Sequence, residues 1–189
     1  MALMNWLYAR KMGGAFVLRL EDTDAERTDE AFVQAMCEGF DWLGIEWDEG
    51  PPFGSAEEKG EYGPYRQSER LDLHRRAVAK LLDEGKAYRC FCTKEELDAE
   101  RERARAEKLP WKYSGKCRGL SAEDVAAKGD IRNVVRFKVD ADGETVVRDL
   151  VQGDVTVRNA EFDDFVIAKP NGDPLFHLAV VVDDGEMKV

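Results

Sequence analysis

The segment that most restricts the fold is a largely apolar run, Ala15-Phe16-Val17-Leu18-Arg19-Leu20, that passes without transition into Glu21-Asp22-Thr23-Asp24. A short run of that character, cut off by polar residues, predicts a buried strand. Beyond the acidic turn, Phe32, Ala35, Met36, Phe40 and Leu43 recur at helical spacing ahead of Gly44, which predicts a helix over 29–43. Strand, turn and helix in this order open an α/β unit, and such units bind ligands at the carboxyl ends of their strands. Ahead of the strand, Leu3, Met4, Leu7 and Tyr8 predict a helix over 2–12, with Arg10 and Lys11 in its last turn and Gly13-Gly14 closing it.

Residues 46–66 read as a long loop rich in Gly, Pro and Glu, and loops of that length usually serve function. Ser68 is placed to cap a helix over 69–84 that turns Leu71, Val78, Leu81 and Leu82 inward and ends at Gly85. A short apolar segment, Ala87 to Cys92, precedes Thr93-Lys94-Glu95-Glu96, a capping box that opens a helix charged nearly all round. After about residue 130 the period changes to two. Val134 to Val139 reads as a strand, Asp142-Gly143 as a turn, and short strands continue to Ala168 before a turn over Lys169 to Asp173. The composite is an incomplete α/β layer over 1–86, an α+β insert over 87–170, and a return segment over 171–189.

Composition limits what such a fold can serve. The 189 residues are 43% apolar and 35% charged, a globular balance, and 28 basic against 39 acidic side chains leave a net charge of −11. A DNA-coating or anionic-membrane role needs a basic surface, so neither is expected, although a local basic groove is still open. No apolar run approaches the length of a membrane span, and no secretory leader is evident. Four cysteines, at 37, 90, 92 and 117, in an acidic chain without a leader predict reduced thiols and a cytoplasmic setting.

Three clusters can carry chemistry. Glu21, Asp22 and Asp24 form either a solvated turn or carboxylates placed at a rigid strand end to hold an ammonium or hydroxyl group. Cys90-x-Cys92 and Tyr113-x-x-x-Cys117 offer three thiolates for a tetrahedral zinc, or three small buried apolar side chains; Tyr113 is the nearest oxygen for a fourth ligand, since neither His74 nor His177 is close in sequence. Pro64-Tyr65-Arg66-Gln67-Ser68 precedes a helix N-terminus, where Arg66 and free amides can meet a phosphate or simply cap the helix. Cys37 lies on the apolar face of its helix and reads as core. There is no glycine-rich phosphate loop and no serine–histidine–aspartate arrangement.

Taken together, Asn5 to Gly14, Leu18-Arg19-Leu20-Glu21-Asp22-Thr23-Asp24, Gly63-Pro64-Tyr65-Arg66-Gln67-Ser68-Glu69-Arg70 and Ala179-Val180-Val181-Val182-Asp183-Asp184 resemble bacterial glutamyl-tRNA synthetases, which are class I aminoacyl-tRNA synthetases. The resemblance implies a Rossmann-type domain split by an insert that binds the tRNA acceptor stem. It implies activation of glutamate with ATP and Mg²⁺, then transfer to tRNA(Glu), by an enzyme that is monomeric at full length. It places Glu21 at the amino group of glutamate, Phe176 and Val180 in the amino-acid pocket, and Asp24, Arg27 and Arg66 toward the tRNA. It also matches Cys90, Cys92, Tyr113 and Cys117 to a zinc pattern that some members carry. Phe176 departs from the family, which usually has a tyrosine there.

The family's His-Ile-Gly-His signature and its lysine loop have no match within residues 1–189, so a fragment without activity of its own is expected. Two other functions share parts of the pattern: a short paralogue that glutamylates a modified tRNA base, and a non-catalytic tRNA- or zinc-binding module. Glutaminyl-tRNA synthetases normally have Asn where Asp24 stands.

Overall fold

The computed structural model describes residues 1–23, 29–53 and 57–189. Asp24 and Arg27 lie outside the described residues. The chain divides into two units, Met1–Leu73 with Ala179–Val189, and His74–Leu178, the division falling within two helices, α3 (Leu71–Asp83) and α6 (Phe176–Met187).

In the first unit, α1 (Ala2–Met12) ends as expected on Gly13, which takes the left-handed conformation at φ 68° that a side chain disfavours. The helix buries none of its residues, and Leu3, Met4, Leu7, Tyr8 and Met12 are all exposed. The expected strand over 15–20 is extended but, among the described residues, contributes two parallel bridges, Val17 with Glu49 and Leu20 with Arg66. Leu18 N donates to Glu49 O at 2.8 Å, Leu20 N to Tyr65 O at 2.9 Å, and Gln67 N to Leu20 O at 2.9 Å. Its partners are segments of the long loop rather than full strands, so the ladder stays short. Phe16 and Leu20, both on this run, are buried.

Helix α2 (Glu30–Leu43) starts on Asp29, whose carboxylate accepts from Ala31 N at 2.9 Å. Its buried face is narrower than the expected stripe: Cys37 is 1% exposed, whereas Phe32 is 71% and Leu43 56% exposed. Ser68 does not cap α3. A 3₁₀ turn, Gln67–Arg70, leads into that helix, and Ser68 donates from N and Oγ to the two oxygens of Asp22, both at 2.8 Å.

The second unit holds a three-stranded antiparallel sheet in the order β1 (Ala87–Cys90), β2 (Val134–Phe137), β5 (Val166–Ala168), and a separate hairpin, β3 (Glu144–Asp149) with β4 (Gly153–Arg158). Helix α4 (Lys94–Ala106) opens with the expected Thr93–Glu96 capping box and buries no residue. Its charged face is engaged all the same: Ser114 Oγ donates to Glu100 at 2.7 Å, Lys116 pairs with Glu96 at 2.5 Å, and Arg101 lies 4.6 Å over the Trp111 ring. A short helix, α5 (Ala122–Ala127), carries a second capping box, Ser121 with Asp124. The core centres on Cys90, Tyr113 and Cys117, surrounded by Tyr88, Phe91, Cys92, Leu97, Trp111, Leu120 and Val134. No helix among the described residues is long and apolar enough to cross a membrane.

Candidate functional site

The parallel bridge at Leu20 releases the chain at Glu21, and Asp22 then fastens the exit through its two bonds from Ser68. Glu21 therefore stands on a backbone held from both sides. Its carboxylate lines an open cleft of about 990 Å³, together with α1, Phe16 to Arg19 and the end of α6, including Asp184 and Met187. Val180 is half-buried on α6 and is not part of that lining. Phe176 belongs to the second unit, where it is exposed at the start of α6 with its ring centre 5.6 Å from that of His177.

Glu21 adjoins a charge cluster that sequence reasoning missed. Arg19 donates from Nη1 to Asp184 at 2.6 Å and from Nη2 to Glu21 at 3.3 Å. Burial opposes the Arg19 charge, yet its bonds to Asp184 and Glu21 more than offset that and raise its pKa above the ordinary value. Asp183, fully buried, accepts from Arg70 Nε at 2.7 Å and Gln67 Nε2 at 2.9 Å. Arg70 is thus a core residue. The one available signal was the pair Asp183-Asp184 closing an otherwise apolar helix stretch. Arg66 holds Glu30 with two bonds, at 2.7 and 3.0 Å, and lies 3.7 Å from Asp22, so carboxylates already balance its charge.

In the second unit the cysteines converge as expected. The Sγ atoms of Cys90, Cys92 and Cys117 all lie within 4.8 Å of one another, brought there by the end of β1 and the turn after Tyr113. Tyr113 Oη is 3.3 Å from Cys90 Sγ and 3.5 Å from Cys92 Sγ, and it accepts from Cys117 N at 3.0 Å. Arg136, an inward-facing cation on β2, stacks 3.8 Å from the centre of the Tyr113 ring and donates to Asp164 O at 2.6 Å.

Burial resists ionisation of the Cys90 thiol, but hydrogen bonds from Tyr113 and Arg136 prevail and hold its pKa below the ordinary thiol value. Burial, reinforced by the charge of Cys90, pushes Cys92 up to about 12 despite its bond to Tyr113. Three thiols so close cannot all ionise without a cation among them, and a thiophilic metal ion supplies one. Cys37 is far from this group in the chain, belongs to the other unit, and is core as expected.

Two further basic residues of this unit are engaged. Arg118 donates to both oxygens of buried Asp164, at 2.6 and 2.8 Å, which also accepts from Tyr88 at 2.7 Å. Lys112 Nζ donates to Ala160 O at 2.5 Å.

Comparison with known proteins decides the family. The sequence pattern of the tRNA synthetases class I (E and Q), catalytic domain, matches residues 1–189. The chain belongs to this family. Among its synthetase relatives, a glutamate–tRNA ligase 1 of Syntrophomonas wolfei is 50% identical over 190 residues, which cover all of this chain and 37% of that protein. A glutamate–tRNA ligase 2 of Caldicellulosiruptor saccharolyticus is 49% identical over 192 residues, covering all of this chain and 38% of the relative. The crystal structure of a glutamate tRNA ligase from Elizabethkingia meningosepticum, in complex with its amino acid, superposes with a TM-score of 0.88 at 34% identity, covering all of this chain and 38% of the other. The chain thus spans somewhat over a third of the length of the synthetases it matches, and its small parallel layer is the incomplete Rossmann-type layer expected of such a segment.

Proposed function

We propose that this chain is the amino-acid-facing part of a glutamate–tRNA ligase, the enzyme that activates glutamate with ATP and passes it to tRNA(Glu). The observation that carries the reading is Glu21: a carboxylate at the end of a parallel-bridged strand, lining an open cleft, in a chain whose relatives at about 50% identity are glutamate–tRNA ligases. Glu21 takes the α-ammonium of glutamate. Phe176 and Val180 supply apolar surface to the amino-acid pocket, the phenylalanine offering a ring without a hydroxyl. Asp24, Arg27 and Arg66 face the tRNA, Arg66 by exchanging Glu30 for a phosphate. Residues 1–86 and 171–189 belong to the catalytic domain and 87–170 to the acceptor-binding insert. ATP enters as co-substrate with Mg²⁺, in a cytoplasmic enzyme that is monomeric at full length.

The test is glutamate-dependent ATP–pyrophosphate exchange by the complete polypeptide containing this segment. A charge-assisted contact contributes ~1.5–3 kcal/mol, so Glu21→Gln is expected to raise the glutamate KM, or lower kcat/KM, by roughly 10- to 100-fold. Unchanged glutamate kinetics would remove Glu21 from the pocket.

The cysteine cluster serves as a structural zinc site. Zn–S bonds of ~2.3 Å in a tetrahedron set sulfur atoms ~3.8 Å apart. Cys92 and Cys117 are already 3.7 Å apart, and all three sulfurs lie within 4.8 Å. Cys90, Cys92 and Cys117 would hold the ion with Tyr113 Oη beside them, and Arg136 would balance the thiolate charge. Such an ion would cross-link β1 to the 113–117 turn. Purified protein is expected to carry about one zinc per chain by elemental analysis, and Cys117→Ala to lose it. Zinc-free protein from a zinc-replete preparation would remove the site.

A further inference from the structure

Arg19 is the side chain that joins the exposed strand end to the buried charge cluster. Its Nη1 donates to Asp184 at 2.6 Å, its Nη2 donates to Oε1 of Glu21 at 3.3 Å, and its Nε lies 4.0 Å from Asp183. Asp183 in turn holds Arg70 and Gln67. The Arg19 side chain is 12% exposed, against 39% for Glu21. One end of this chain of contacts is therefore fixed in the core, and the other is the carboxylate that lines the cleft. All of these residues belong to the first unit.

One feature indicates what the arrangement is for. The Nε of Arg19 is buried without a hydrogen-bond partner. An orphaned buried donor is costly. The guanidinium forgoes a full bond to Asp183 while it holds Asp184 and Glu21.

Resting on the reading of Glu21 given above, the geometry points to Arg19 as a positioning residue for recognition of the amino acid. Arg19 engages Oε1 of Glu21, fixes the direction of that carboxylate, and acts on the substrate ammonium only through it. Asp184 anchors Arg19 and shares the role at one remove.

The experiment is ATP–pyrophosphate exchange by the complete polypeptide, comparing wild type with Glu21→Gln, Arg19→Met, Arg19→Lys, Asp184→Asn and the double variant Glu21→Gln with Arg19→Met. Arg19→Met is expected to raise the KM for glutamate about 10-fold, with kcat changed less than about threefold and the KM for ATP unmoved. Arg19→Lys keeps the charge without the fork and is expected to restore part of the loss. The double variant is expected to be no worse than Glu21→Gln alone, because residues acting through one another are not additive.

A purely structural Arg19 would give the opposite pattern: reduced kcat or melting temperature, an intact glutamate KM, and effects that add to those of Glu21→Gln. That pattern overturns the proposal. Should Arg19→Met fail to fold, Asp184→Asn asks the same question with the Asp183–Arg70 pair left in place; a rise of about threefold in the glutamate KM is expected, and no rise overturns it. Wild-type protein without glutamate-dependent exchange defeats the underlying reading and this proposal together. A KM sensitive to Glu21→Gln but not to Arg19 or Asp184 defeats the proposal alone.

Discussion

Purified as 189 residues, the chain is expected to give no glutamate-dependent ATP–pyrophosphate exchange above background. Adenylate formation requires groups that hold the phosphates of ATP and neutralise the charge that develops on them, and this is where most of the acceleration in such transfers arises. The cleft beside Glu21 is poorly equipped for that task. Of the cationic side chains among its described lining, Arg19 is bound to Asp184 and Glu21, and Lys188 lies 5.0 Å over the Tyr62 ring. Removing one preorganised electrostatic donor costs roughly 10²- to 10³-fold in rate, and a missing set multiplies such factors. The chain covers 37–38% of the ligases it resembles, which leaves ample sequence in those proteins for the phosphate-binding groups. Exchange that tracks glutamate concentration in the 189-residue protein would place the phosphate chemistry within this chain and overturn the expectation.

The second large effect is on stability. Asp183→Ala is expected to cost ~3–5 kcal/mol, the usual penalty for removing one partner of a buried ion pair. Asp183 has no exposed side-chain surface and Arg70 only 5%, so the substitution leaves the Arg70 guanidinium in the core facing an apolar methyl group. Gln67 Nε2 loses its acceptor at the same time. Against a typical domain stability of ~5–15 kcal/mol, a loss of that size moves the midpoint of urea unfolding far down or leaves the protein insoluble. A loss below about 1 kcal/mol would mean that water reaches the pair and screens it as it does a surface ion pair.

Features governed by neighbours three or four residues apart were legible in the sequence. The Thr93–Glu96 capping box, the left-handed Gly13 and Gly44, and the turn in which Lys169 N meets Asp173 O all formed where their residues predicted. So did the meeting of Cys90, Cys92 and Cys117, although spacing left the choice between metal and core open. What failed depended on partners distant in the chain. The apolar run at 15–20 has the composition of a full strand, but its extent is set by loop segments near 49 and 66 that no local pattern ties to it.

Ser68 has the makings of a helix cap and spends both of its bonds on Asp22 instead. Nothing within a few residues of Arg70, Asp183 or Arg136 reveals that a buried partner awaits them. Phe32 and Leu43 satisfy helical periodicity yet stay exposed, because the face packed in this structure is centred on Cys37.

The long reach of the contacts around Glu21 also orders events in time. Leu20 waits for Tyr65 and Arg66, and Arg19 waits for Asp184, a separation of 165 residues. A ribosome adding about 5–20 residues per second delivers that aspartate some ten to thirty seconds after the arginine. Throughout that interval the acidic strand end has its local shape without its anchor, and the closure of so long a loop adds to the entropy that its final contacts must overcome. The contacts of Cys92 with Tyr113 and Cys117 close over only 21 to 25 residues, so they can form while the strand end is still waiting. During synthesis, the acidic pocket is the last part of this chain to mature.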